Sequence, residues 1–289
     1  MNSKLAPVLM VLPIFALYLV FVFYPIAHAV VSSFFSWNGI PTSPQVFVGL
    51  RNYATIIDDP RYLRAFANSG RFIAGSLLVL LPLSFVLALI TTSGIRGARV
   101  MKAAYFLPVV LSLTAISLMW RFILFPNGGP LNTFLERVQL HHMAHNWLGD
   151  VRFSIWAVIF VNMWTYAGFN MLIFAAGLVA IPTEVWDSVE IDGARGATRF
   201  WHITLPLMRE SFRAFIILAV SGSLKVFDIV FVMTGGGPNG SSDTPATLLF
   251  FQAFQFNRFG LGNAIGTCIL VFGLLLTLVV NGVAKKLED

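Results

Sequence analysis

The sequence predicts an all-α, polytopic membrane protein with six transmembrane helices, and three observations carry that prediction. Of 289 residues, 57% are hydrophobic and only 11% are charged, against roughly 25% charged residues in ordinary soluble domains. The mean hydropathy is +0.79, and so little charge could not keep a surface around a core of this size in water. Six stretches each supply the run of about 20 mostly apolar residues that a spanning helix needs. A soluble enzyme, a disordered chain and a nucleic-acid-binding module are thereby set aside. The net charge of +6 reads as Lys and Arg retained beside the membrane. Cys268 stands alone in an apolar run, so no internal disulfide can form.

The apolar stretches run over residues 8–31, 72–91, 103–125, 153–178, 212–233 and 263–284, and the whole chain, 1–289, reads as one transmembrane domain. Pro13, Pro25, Pro82 and Pro108 fall within or near them, which is tolerated where neighbouring helices satisfy the freed backbone groups. The first stretch follows a single basic residue, Lys4. It is longer than a signal-peptide core, so it reads as a retained helix that also directs insertion. Residues 36–70, 126–152 and 234–262 form long polar external loops. In the first, Asp58-Asp59-Pro60 is followed by Tyr62, Leu63, Phe66 and Ile73, which predicts a short amphipathic helix at the membrane surface. With the N-terminus inside, ten basic residues, Lys4, Lys285 and Lys286 among them, face eight on the other side. The short basic loop 93–102 weighs most in that balance, and it places both termini in the cytoplasm.

Residues 181–208 form the cytoplasmic loop that carries most information. Pro182 suits a helix start, where its missing N–H is an orphan anyway. Val185, Trp186 and Val189, with the acids Asp187 and Glu190, make a short helix with an apolar stripe. Gly193 ends it, as the residue that adopts a left-handed cap without strain. A second helix follows through Phe200, Ile203 and Leu207, perturbed by Pro206. By itself this is a helix–Gly–helix knob, equally readable as an interfacial amphipathic loop. The spacing of Asp192-Gly193-Ala194, nine residues, then Ile203-Thr204-Leu205-Pro206 resembles the EAA loop of ABC importer permeases. That resemblance implies docking of the loop into a cleft on an ATPase subunit, with Asp187, Glu190, Asp192, Gly193, Ala194, Phe200, Ile203, Leu205 and Pro206 as the coupling residues. The name-giving Glu-Ala-Ala is here Asp187-Ser188-Val189, which keeps the charge but adds bulk at a packed position.

Leu224 to Pro238 (LKVFDIVFVMTGGGP) resembles the fifth-helix signature of the maltose- and glycerol-phosphate-type sugar permeases. Gly177 to Pro182 and Phe47-Val-Gly-Leu-Arg-Asn52 fit the same subfamily. The resemblance covers nearly the whole chain and implies an inner-membrane subunit forming half of a pathway for a sugar-type substrate. It further implies a second permease, two ATP-binding subunits, an external solute-binding protein and surrounding membrane lipid, with no part for nucleic acid.

The chain's own chemistry is limited. None of its five lysines follows a glycine, so no phosphate-cradling P-loop is present. No cofactor is expected in this chain, and ATP with magnesium belongs to the partner subunits. His141, His142 and His145 have ligand-like spacing but no acidic or Cys neighbours, and read as a solvated loop rather than a metal site. No catalytic constellation converges. Lys225 and Asp228 lie at i,i+3 inside the fifth stretch, where a charge costs on the order of 2.5–3.5 kcal/mol. They are expected to share a helix face and pair, as a pathway element or a structural ion pair. Asn162, Thr165, Tyr166, Phe169 and Asn170 form one face of the fourth stretch. With Trp164, and with Ser221 of the fifth stretch, they offer rings and polar groups for a sugar, or polar glue between helices. Asn263, Thr267, Thr277 and Asn281 share a face of the sixth. An ion-coupled secondary transporter using Lys225 and Asp228, or a non-transporting membrane scaffold, are the alternatives.

Overall fold

The computed structural model describes residues 5–286, with side chains from 10 to 282. Lys4 and the side chains of Lys285 and Lys286, used above for orientation, lie outside these described residues. In chain order, α1 (Leu5–Tyr18) passes through a π turn (Leu19–Phe23) into α2 (Tyr24–Ser32). A two-stranded hairpin of β1 (Phe35–Ser36) and β2 (Val46–Phe47) follows, then α3 (Arg51–Asp58) and α4 (Pro60–Gly75). A second π turn (Ser76–Leu80) leads into α5 (Leu81–Thr92). Next come α6 (Ala98–Val110), α7 (Leu113–Ile123), α8 (Pro130–Arg137) and the long α9 (Ser154–Val179). The loop 181–208 holds α10 (Thr183–Ile191), α11 (Gly196–Arg199), a π turn (Phe200–Thr204) and α12 (Leu205–Leu207). The chain ends with α13 (Arg209–Leu224), α14 (Asp228–Met233), α15 (Pro245–Phe250) and α16 (Phe259–Lys286).

The all-α class holds, but the apolar stretches are not six unbroken helices. Among the described residues, four helices are long and apolar enough to cross a membrane: Met10–Ser32, Pro60–Thr92, Ser154–Val179 and Phe259–Gly282. The third stretch is α6 and α7 bent by 96°. Pro108 cannot donate to the carbonyl one turn before it, and three residues past it Leu111 turns extended at φ −74°, ψ 155°. The fifth stretch is also two helices, α13 and α14, parted at residues 225–227. The amphipathic segment after Asp59 is no separate surface helix. Pro60, preset for a helix start, opens a helix of 33 residues that continues to Thr92.

The described residues group into two compact units, one up to Leu63 with Leu248–Phe272, the other Arg64–Thr247 with the residues from Gly273. In the first, Phe35 pairs with Phe47 across the hairpin, their rings 5.4 Å apart. Asn52 Nδ2 donates to the Ser33 and Phe35 carbonyls at 2.7 and 3.0 Å, so the segment Phe47–Asn52 clasps the end of α2. In the second unit, α9 is the central element, packing on α5 and α6. Phe85, Phe174 and Phe215 meet at ring distances of 5.4 and 5.5 Å beside fully buried Met171 and Ala88. Ser84 Oγ donates to the Ala167 carbonyl at 3.2 Å. Next to it a Cβ at Gly168 would run into the Tyr105 backbone carbonyl, so α6 and α9 touch backbone to backbone, as small residues permit in membranes. Phe72, Ile116, Ile155 and Val158 make a second cluster with Val230.

Candidate functional site

A cavity of about 330 Å³ opens within the second unit. Helix α9 contributes Asn162, Tyr166, Phe169 and Asn170; α13 contributes Gly222 and Ser223; the interruption between α13 and α14 contributes Lys225 to Asp228. Four of the five residues predicted for the α9 face line it. The fifth, Thr165, is fully buried and donates to the Val161 carbonyl at 2.8 Å. Asn170 Nδ2 is bound to the Tyr166 carbonyl at 2.9 Å, which leaves its Oδ1 to the cavity. Among the described residues, neither the Asn162 carboxamide nor the Tyr166 hydroxyl has a protein hydrogen-bond partner. A pocket lined by rings with a few convergent polar groups is the usual form of a small-molecule site.

Two expectations for this region need correction. Lys225 and Asp228 do not share one helix face: Lys225 caps α13 and Asp228 opens α14. Both are exposed to the cavity, and among the described residues no ion pair joins them. The interruption lets each head reach open space, which lowers the cost of carrying it inside an apolar stretch, and Asp228 gains the favourable N-terminal end of α14. The chain break is itself satisfied. Lys225 N–H tightens onto the Gly222 carbonyl at 3.0 Å, and the Val226 carbonyl accepts from Thr244 Oγ1 at 2.7 Å. An unpaired carbonyl there would cost about 1–3 kcal/mol.

Trp164 and Ser221 do not line the cavity. At about 100° per residue, Trp164 lies across the helix from Asn162 and Tyr166, and its ring meets Trp120 edge-on at 5.4 Å. Ser221 is likewise two positions from Ser223, which does line the cavity and donates to the Ala219 carbonyl at 2.7 Å. Ser223, Gly222 and Phe227 were missed in the sequence; helical angle alone separates Ser223 from Ser221. Of the polar face in the sixth stretch, Asn281 Oδ1 accepts from Arg213 Nη2 at 3.1 Å, while Thr267 and Thr277 bond within α16. His145 stacks on Phe153 at 4.5 Å. Among the described residues no three potential metal ligands gather.

The loop 181–208 folds as a knob whose two helices are closed by local chemistry. Gly193 stands at φ +69°. Its N–H meets the Glu190 carbonyl at 3.2 Å, and the Ala194 N–H meets the Val189 carbonyl at 3.1 Å. This is a Schellman closure, and it explains Asp-Gly-Ala as a helix stop. Asp187, Glu190, Asp192 and Gly193 are exposed, while Val189 is buried. Phe200, Ile203, Leu205, Pro206 and Ala194 are half-buried, and Phe200 leans on Phe85 at 6.0 Å. The π turn at Phe200–Thr204 closes with the Leu205 N–H on the Phe200 carbonyl, immediately before Pro206. The Arg199 guanidinium lies 4.2 Å over the Trp186 ring and ties the two helices together. Ile191, between the acids Glu190 and Asp192, is 86% exposed and Trp201 61%, so the knob leaves large apolar side chains uncovered.

Comparison with known proteins matches residues 81–289 to the family described as the binding-protein-dependent transport system inner membrane component. The chain is 32% identical over 284 residues to the trehalose/maltose transport system permease protein MalF of Thermococcus litoralis, covering 97% of this chain and 94% of that one. It is 28% identical over 272 residues to the multiple sugar-binding transport system permease protein MsmF of Streptococcus mutans serotype c, covering 94% and 92%. Its fold matches a chain of a bacterial ABC transporter that imports the acidic polysaccharide alginate, with a TM-score of 0.85 at 20% identity over 100% and 98% of the two chains.

Proposed function

The chain belongs to the family of binding-protein-dependent transport system inner membrane components, and from that premise we propose that it is one permease subunit of an ATP-driven sugar importer. The family is one of transporters, not enzymes. In the proposed assembly this chain forms half of the translocation pathway in the cell inner membrane, beside a second permease. Two ATP-binding subunits, which hold ATP and magnesium, dock on the knob, and a solute-binding protein delivers the substrate from outside. Both termini are cytoplasmic.

The observation that carries the reading is the knob. Ile191 and Trp201 are exposed, as are the acids Asp187, Glu190 and Asp192, and they leave apolar surface that asks for a covering partner. Closure of the ATPase pair would push on this knob and tilt α9. The cavity serves as this subunit's share of the substrate path. Phe169 and Tyr166 offer faces for a sugar ring, and Asn162, Asn170, Lys225 and Asp228 offer donors and acceptors for its hydroxyls. The relatives named for trehalose/maltose and multiple-sugar transport support a carbohydrate substrate.

The test is uptake in proteoliposomes holding both permeases, the ATPase subunits and the binding protein. The proposal expects uptake that needs ATP hydrolysis and is indifferent to an ionophore. Uptake that survives loss of the ATPase and collapses with the ionophore overturns it in favour of an ion-coupled carrier.

A further inference from the structure

We propose that Thr244 is a positioning residue for the cavity: from a loop outside it, the Thr244 hydroxyl holds the interruption in the fifth apolar stretch open and so sets where Lys225, Phe227 and Asp228 stand. The inference rests on the cavity reading for its meaning in transport, but its geometry stands independently.

The interruption strands the Val226 carbonyl. In a continuous helix that carbonyl would accept from the N–H four residues on, at Val230. Here it accepts from Thr244 Oγ1 at 2.7 Å, eighteen positions away. Thr244 is fully buried and cannot swing. Its N–H meets Thr247 Oγ1 at 2.9 Å, and Thr247 Oγ1 returns a bond to the Thr244 carbonyl at 2.9 Å. The loop around it is pinned as well. Asn68 Nδ2 donates to the Ser241 and Asp243 carbonyls at 2.9 and 2.7 Å, and Ser241 Oγ lies 2.7 Å from Ser154 Oγ. Thr234 and Ser242 join hydroxyls at 2.7 Å. Loops usually run over the surface because buried backbone must find partners. This loop is buried and has found them, which makes it a rigid mount for one donor.

Without that donor the cheapest partner for the Val226 carbonyl is the Val230 N–H. Making that bond joins α13 to α14, brings Lys225 and Asp228 to i,i+3 on one helix, where opposite charges attract, and narrows the cavity. Thr244 therefore selects between a broken helix with two open charges and a straight one with the charges paired.

The experiment measures thiol labelling by a methanethiosulfonate reagent in the assembled, detergent-solubilised transporter. A cysteine is placed by F227C, with the single native cysteine removed by C268S. T244V, which keeps the branched shape, is expected to slow labelling about fivefold, the effect of losing one buried hydrogen bond. T244S, which keeps the hydroxyl, is expected to restore the wild-type rate. A control thiol from H142C, on an exposed loop of the same unit, is expected to be unchanged in all three backgrounds. T244A replaces T244V if the latter fails to assemble. Unchanged or faster labelling in the hydroxyl-lacking variant overturns the proposal, as does a T244S rate as low as that variant's. Because no substrate enters this measurement, it can fail or hold separately from the uptake experiment that tests the cavity as a sugar path.

Discussion

Two helix ends in this protein solve the same problem in opposite ways. At Ile191 the helix α10 stops on its own chain: Gly193 takes φ +69°, and two N–H groups fold back onto carbonyls within six residues. At Leu224 the helix α13 stops with no glycine at its cap, and a carbonyl left over is taken by a side chain from a distant buried loop. The first closure is local and carries its geometry wherever the knob is pushed. The second is borrowed, so the cavity wall keeps its shape only while the loop 234–247 keeps its place. A part that must transmit force gains from the first arrangement, and a part that must reshape gains from the second.

The largest expected effect breaks the local closure. Gly193→Pro removes the donor to Glu190 and imposes a φ near −65°, against the +69° the turn requires. ATP-driven uptake is expected to fall about a hundredfold, in line with the loss of a cap plus backbone strain at a docking element, while the membrane level of the protein is unchanged; near-normal uptake would remove the knob from coupling. Next comes the cavity itself. Asn162→Ala is expected to raise the uptake KM about fivefold, the worth of one hydrogen bond to substrate, with the assembly's ATPase activity retained; an unaltered KM takes α9 out of the path. Trp164→Ala sharpens this by contrast, since its ring packs on Trp120 outside the cavity. Its KM should stay at the wild-type value, with thermal stability reduced by about 0.5–1.5 kcal/mol. The smallest effect is expected at the knob's brace. Arg199→Ala loses a cation–π contact worth about 0.5–1 kcal/mol at an exposed site, seen as a slight loss of ATPase coupling that Arg199→Lys largely restores.

What was legible in the sequence follows the same division. Apolar length and scarce charge locate the membrane segments because transfer from water acts on each residue where it stands. Asp192-Gly193-Ala194 was readable as a helix stop because every group that makes the stop lies within it. The interruption at 225–227 was not readable, because its partner is Thr244 and no local pattern links the two. The expected Lys225–Asp228 pair assumed a continuous helix and failed with it. Trp164 and Ser221 were placed with the cavity by chemical type, although Trp164 is about 200° around its helix from both Asn162 and Tyr166, and Ser221 about 200° from Ser223. The bend after Pro108 is an intermediate case: the proline announces a weak point, but the 96° angle belongs to the packing around it.

Helix α9 is a single α-helix through all 26 of its residues; it begins at Ser154, whose hydroxyl meets Ser241 of the cavity loop, and ends at Val179, two residues before the knob begins at Ile181. From Val179 back to Asn162 it is a stiff rod of about 26 Å at about 1.5 Å per residue. A tilt of about 5° applied at the knob would therefore sweep Asn162 through about 2 Å, most of the difference between a formed and a broken hydrogen bond. If the proposed roles hold, the arm is long enough that a small rotation at the knob becomes a change of grip at the cavity.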